Sequence, residues 1–136
     1  MKQIFILALS LFFISMAFAQ NDKEKYELNI ATYNLRLDTS NDGLDAWEHR
    51  KENVNGLIRF HDFDIVGTQE GFQHQLLDIT TTGDYAYVGV GRDDGVEKGE
   101  FMAIFYNKNE VKLLDKGTFW LAATPDTPTK GWDGQC

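Results

Sequence analysis

Two side chains that could bind a hard metal ion each lie at the end of a short apolar segment of this chain. Asn34 lies near the end of the alternating segment 28–35, and Glu70 follows the apolar segment 65–69. Between the two segments lies an amphipathic helical pattern, which predicts a right-handed strand–helix–strand unit with parallel strands. The carboxyl ends of parallel strands open at one edge of the sheet, where ligands of such sheets bind. An amide oxygen and a carboxylate at that edge suit Mg²⁺, with Mn²⁺ as a second candidate.

Each of these residues also has a simpler interpretation. Glu70 could be a carboxylate favoured at a helix N-terminus, and Asn34 a residue that only makes a turn. Arg36 lies two positions after Asn34, on the same side of an extended chain. Its guanidinium could clamp a phosphate with paired hydrogen bonds, or it could form a salt bridge to Asp38 or Asp45.

The remaining pattern predicts the elements that position these side chains. We expect a helix from Trp47 to about residue 60, with Asp45 as its N-cap and Glu48 completing a capping box. We also expect a short helix in the segment 71–79. Further strands are predicted at 85–90, 101–107 and 111–118, with a mobile, glycine-rich loop at 91–99. Tyr33 and Trp47 are expected in the core.

The first residues have the pattern of an export signal. Lys2 precedes an apolar run, and Ala17-Phe18-Ala19 is a small-x-small cleavage signal. We therefore expect a signal peptide at 1–19, a polar leader at 20–27 and a periplasmic or extracellular mature chain without a transmembrane span. The only cysteine, Cys136, excludes an internal disulfide framework.

Charge and histidine spacing narrow the function further. The net charge of −8 argues against a protein that coats nucleic acid by electrostatic attraction. It argues only weakly against a phosphodiesterase, because a bound cation supplies local positive charge. His49, His61 and His74 are not spaced as a zinc set and are expected on solvated surfaces.

The motifs together resemble the endonuclease/exonuclease/phosphatase superfamily, in its secreted bacterial, deadenylase-like branch. Asn34 matches the Asn that closes the first strand, and Gln69-Glu70 matches the Gln-Glu that closes the next core strand. The segment 98–106 is similar to the middle strand. The resemblance implies an α/β (α+β) fold, the four-layer α/β/β/α sandwich of the DNase I-like type, with residues 28–136 as its N-terminal half. Half a sandwich would leave one sheet face exposed.

The resemblance also implies a function. It is that of an exported, Mg²⁺-dependent phosphoesterase that hydrolyses phosphodiesters or phosphomonoesters, nucleic acid among them. Glu70 would bind the metal with help from Asn34, and Arg36 and Glu100 would contact substrate, although Glu100 could instead be a solvated loop carboxylate. The family's catalytic His and second Asp motifs have no match here, so we expect this chain by itself to be inactive. The alternative is a secreted, non-catalytic interaction module on the same scaffold.

Overall fold

The computed structural model describes residues 26–131. The predicted signal peptide and Cys136 lie outside the described residues, as does most of the predicted leader. In chain order the elements are β1 (Ile30–Asn34), a 3₁₀ segment (Ser40–Asp45), α1 (Trp47–Phe60), β2 (Ile65–Gln69), α2 (Gln73–Thr80), β3 (Tyr85–Val88) and β4 (Ile104–Asn107).

The four strands form one mixed sheet in the order β1-β2-β4-β3. β1 and β2 are parallel, with Asn34 in register with Gln69, while β4 runs antiparallel to both β2 and β3. This confirms the predicted strand–helix–strand unit, in which α1 connects the two parallel strands. The consequence is that the ends of β1 and β2 lie side by side.

The core lies on the face of the sheet that α1 and α2 cover. Trp47, Val66 and Phe105 are buried there, and Tyr33 is half-buried against them, as expected. The Trp47 indole Nε1 donates to Asp78 Oδ2 at 2.8 Å, which joins the two helices and satisfies the polar end of this buried ring. The predicted apolar face of α1 is confirmed at Trp47, Val54 and Ile58, whereas Leu57 is 41% exposed.

The opposite face of the sheet is uncovered within the described chain, as half a sandwich predicts. Ile30 is 61% exposed and Ile104 is 49% exposed, although both belong to strands. Asn34 and Thr32 lie on the same face as Ile30, because side chains alternate along β1. No helix of the described residues is both long and apolar enough to cross a bilayer.

Three local predictions are wrong. Ala46 rather than Asp45 is the N-cap of α1 and makes no side-chain cap bond. Asp45 instead ends the 3₁₀ segment, and its carbonyl accepts a hydrogen bond from Arg50. The predicted strand at 111–118 is absent from the described chain, because this segment has no neighbouring strand to complete its backbone hydrogen bonds. The loop at 91–99 is closed by backbone hydrogen bonds, including Gly91 N to Val96 O and Asp93 N to Lys98 O, rather than loose.

The other boundaries are close to prediction. Helix α1 begins at Trp47, and α2 covers most of the predicted short helix. β3 ends at Val88, and β4 begins at Ile104, so both are shorter than predicted. Phe101, which the sequence placed at the start of β4, instead forms isolated bridges with Gly71 and Gly91.

Candidate active site at the ends of the parallel strands

Asn34 and Glu70 meet at the edge of the sheet where the parallel strands β1 and β2 end. We call this edge, with the two side chains, the rim. The Asn34 Nδ2 group donates to Glu70 Oε1 at 2.8 Å, and the backbone N–H of Leu35 donates to Gln69 O, which extends the ladder to the rim. The side-chain oxygen of Asn34, Oδ1, accepts a hydrogen bond from the backbone N–H of Arg36 at 2.8 Å. Both ends of the amide are therefore held, and its N–H group is aimed at the carboxylate of Glu70.

A change of register aims Glu70 into this position. Gly67 lies opposite Ile104, whereas Gly71 lies opposite Phe101, so the three residues between the two glycines face only two on the other segment. The extra residue is a β-bulge, a feature that re-aims side chains and is common beside active sites. Glu70 lies within it at a φ of 62°, which is unusual for a residue with a side chain.

The backbone after the end of β1 is also unusual. Arg36, the second residue after β1, has a φ of 58°. Each loop that follows a parallel strand therefore has a residue in the left-handed region within its first two positions. Such a conformation costs of order 1–3 kcal/mol for a non-glycine residue and clusters at functional sites. The surrounding hydrogen bonds must hold both residues in place.

Arg36 forms a salt bridge, with a partner that the sequence did not indicate. Its Nε and Nη2 atoms each donate to a carboxylate oxygen of Asp42 at 3.0 Å, and neither Asp38 nor Asp45 pairs with it. The hydrogen bond with Arg36 lowers the pKa of Asp42 from its ordinary value. The same bond raises the pKa of Arg36, and the charge of Glu70 adds a smaller contribution in the same direction. Arg36 is thus within electrostatic range of Glu70.

Glu100 lies one residue from the bridge between Gly71 and Phe101, so it is on the segment next to Glu70. Its Oε2 accepts from Arg92 Nη1 at 3.2 Å, and its backbone carbonyl accepts from the Arg92 N–H at 3.0 Å. The side chain is 24% exposed. Glu100 is therefore a paired carboxylate beside the rim rather than a freely solvated one.

The rim offers oxygen ligands, the type that a hard cation such as Mg²⁺ prefers. Among the described residues, Glu70 Oε2 accepts no hydrogen bond, so one carboxylate oxygen is free for a cation. The same part of the chain contains no group of three or more His, Cys, Asp or Glu side chains that could hold a metal. Mg²⁺ is commonly bound by one or two carboxylates together with water and substrate phosphate. Glu70 would bind such an ion directly, and Asn34 would orient Glu70.

Comparison with known proteins identifies the family of the chain. The model of the Endonuclease/Exonuclease/phosphatase family matches residues 31–128, which include the whole rim. The chain belongs to the endonuclease/exonuclease/phosphatase family. Its structure is similar to that of a mannosyl-6-phosphatase of Bacteroides thetaiotaomicron, with 48% identity and a TM-score of 0.76 over 79% of this chain and 41% of that one.

Two further solved structures are similar. A family member from Bacteroides vulgatus is 42% identical, with a TM-score of 0.80 over 82% of this chain and 44% of that one. A functionally unknown conserved protein from Enterococcus faecalis is 38% identical, with a TM-score of 0.73 over 79% of this chain and 42% of that one. The chain therefore spans less than half the length of each of these three relatives. Among curated proteins there is no significant match.

The predicted site residues of this family member thus fall into two groups. Asn34 and Glu70 are in contact, and Arg36 and Glu100 lie on the neighbouring segments, each paired with another side chain. The sequence did not reveal Asp42 as the partner of Arg36. It also did not reveal that His74, which is exposed as expected, pairs with Asp38 at 2.9 Å. Asp38 and His74 are 36 residues apart, so local spacing carries no signal for that pair. Arg36 and Asp42 are only six residues apart, but Asp42 lies in the 3₁₀ segment, which the sequence pattern did not predict.

Proposed function

We propose that this chain provides the metal-binding half of a Mg²⁺-dependent phosphoesterase. The observation that carries the proposal is the Asn34–Glu70 contact at the ends of two parallel strands, where Glu70 Oε2 accepts no hydrogen bond from any described residue. A bound Mg²⁺ would neutralise charge on the phosphate oxygens and the leaving oxygen. The role of this chain is to hold Glu70 in the orientation that such an ion needs.

The surrounding residues support binding of an anionic ester. The guanidinium of Arg36 is half exposed although it is paired with Asp42, so it can donate further hydrogen bonds to a phosphate. Arg92 and Glu100 form a second charged pair near the rim. Both arginines bring positive charge to a chain with a net charge of −8, which would otherwise repel a phosphate.

The first substrate to test is a sugar phosphomonoester. The 48% identical relative is named a mannosyl-6-phosphatase, which favours a phosphate on a primary sugar hydroxyl. The net charge of −8 disfavours nucleic acid, because a polyanion would be repelled overall. We further propose export through the signal peptide at 1–19, which N-terminal sequencing of the secreted protein would test by a start at Gln20.

The test is hydrolysis by the full-length protein with Mg²⁺ or with chelator. Mannose 6-phosphate, p-nitrophenyl phosphate and bis-p-nitrophenyl phosphate separate sugar monoesters from other monoesters and from diesters. Replacing Glu70 with alanine should lower kcat/KM at least about a hundredfold, since the loss of metal assistance is worth several kcal/mol. Glu110→Gln, an exposed carboxylate at the opposite end of β4, is the control.

Two results would count against the proposal. Unchanged hydrolysis by Glu70→Ala at saturating Mg²⁺ would refute the role of this residue. A full-length protein that is stable and monomeric but inert towards all three esters would favour a non-catalytic interaction module instead.

A further inference from the structure

Gln75 is a polar side chain in the middle of the core. It lies on α2 and is completely buried, with 0% of its surface exposed. A buried carboxamide is unfavourable unless its polar atoms are hydrogen-bonded. Gln75 meets this requirement with two backbone groups of the loop after β1 and with the backbone N–H of Phe72, the N-cap of its own helix. Its presence therefore has a reason other than filling space, which leucine would do better.

The partners of Gln75 are the two loops that follow the parallel strands. Its Oε1 accepts the backbone N–H of Asp38 at 3.1 Å and that of Phe72 at 3.0 Å. Its Nε2 donates to the carbonyl of Arg36 at 3.0 Å. Asp38 and Arg36 belong to the loop that follows β1, and Phe72, the N-cap of α2, ends the short loop that begins at Glu70. One side chain thus joins both loops.

We infer that Gln75 is a positioning residue for the Asn34–Glu70 pair. The inference rests on the proposed function and adds to it the group that keeps the pair in register beyond the end of the sheet ladder. Asn34 and Glu70 are two residues from Arg36 and Phe72 respectively, so a relative shift of the loops would pull the 2.8 Å contact apart. Displacement of about 1 Å at an active site can cost about a hundredfold in rate.

Beyond the end of the sheet ladder, the other side-chain contacts of the first loop lead to α1 or are open to water. Arg50 donates to the carbonyls of Leu35 and Arg36, so it fixes the first loop to α1. His74 pairs with Asp38, but both side chains are substantially exposed and the pair is open to water. Gln75 is the buried connection between the loops, and its loss should therefore affect their relative position most.

The experiment compares Gln75→Met with Ile79→Ala in the full-length protein. Ile79 lies on the same helix and is also buried, so its truncation weakens the core without touching the loops. The first measurement is hydrogen exchange of the Asn34 side-chain amide by NMR, assigned by its loss in Asn34→Asp. The second is the apparent affinity for Mn²⁺, and the third is kcat on p-nitrophenyl phosphate. All three are recorded below the unfolding transitions of both variants.

Gln75→Met should speed exchange of the Asn34 amide at least tenfold, weaken Mn²⁺ binding about tenfold and lower kcat about a hundredfold. Ile79→Ala should stay within about twofold of the wild type in the same measurements, because it removes no contact between the loops. Equal values for Gln75→Met and wild type would overturn the inference, and so would equal losses in both variants.

If Gln75→Met does not fold, Gln75→Glu is the second variant for the same measurements. It preserves both acceptor contacts but sets a buried carboxylate oxygen against the carbonyl of Arg36, so it should speed exchange of the Asn34 amide at least as much as is expected for Gln75→Met. Wild-type exchange of the Asn34 amide in Gln75→Glu would overturn the inference. This readout is independent of hydrolysis. Failure of the proposed function, seen as full activity in Glu70→Gln, is thereby distinguishable from failure of the positioning role.

Discussion

Replacement of Arg50 by methionine should destabilise the protein by removing the anchor of the loop after β1. Arg50 Nη1 donates to Leu35 O at 2.7 Å, Nη2 donates to Arg36 O at 2.9 Å and Nε donates to Asp45 O at 2.7 Å. The guanidinium carbon also lies 5.4 Å from the centre of the Trp47 ring. One side chain therefore satisfies two carbonyls before the 3₁₀ segment and the carbonyl of its last residue.

The size of the effect follows from these contacts. A hydrogen bond to a charged group contributes about 1.5–3 kcal/mol. Arg50 is only half-buried, so water can replace part of each contact when the guanidinium is removed. We therefore expect Arg50→Met to lower the free energy of unfolding by about 2–4 kcal/mol in total. Arg50→Lys should recover less than half of this, since an ammonium cannot reproduce the planar fork.

Urea unfolding of the full-length protein measures the difference. Arg59→Met is the matched control, because Arg59 is an exposed arginine in the last turn of the same helix. The control should change the free energy of unfolding by no more than about 0.5 kcal/mol. If Arg50→Met and Arg59→Met were equally stable, the anchoring role assigned to Arg50 would be wrong.

Two further predictions concern the loop at 91–99. A methyl group at Gly91 would lie 2.3 Å from the carbonyl oxygen of Lys98. Gly91→Ala should therefore open the loop and speed tryptic cleavage after Lys98 severalfold. Gly117→Ala is the control and should not change the cleavage rate, because Gly117 has open space around it. Backbone N–H groups, that of Lys98 first, lower the pKa of Asp94. The contribution of the Asp94 carboxylate to the stability of the loop is therefore complete above the ordinary aspartate pKa of about 4. It is lost as the pH falls through the lower pKa of the folded state. Amide exchange in the loop should rise in that acid range, and a wild-type rise in Asp94→Asn, which cannot titrate, would contradict this assignment.

The elements nearest the site could be predicted because their signals are local. The alternating segment before Asn34, the apolar segment before Glu70 and the amphipathic stripe from Trp47 fix two parallel strands and the helix between them. Parallel pairing then brings the strand ends together without further information. This reasoning predicted the Asn34–Glu70 contact correctly.

The features that the sequence did not predict depend on partners distant along the chain. The bulge at Glu70 requires the register of β4, and the predicted strand at 111–118 has no partner in the described chain. Gln75 does carry a signal, because it is a polar residue four positions before Ile79 on the buried side of α2. Such a residue within a core stripe indicates a buried hydrogen-bonding role, although the sequence alone does not identify the partners.

The central claim is that Glu70, oriented by Asn34, binds a divalent cation at the rim of the sheet. Titration of the full-length protein with Mn²⁺, followed by the electron paramagnetic resonance of free Mn²⁺, tests this directly. We predict a site that Mg²⁺ competes for and that is weakened at least about tenfold in Glu70→Gln but not in Glu110→Gln. Equal Mn²⁺ binding by the wild type and Glu70→Gln would contradict the claim.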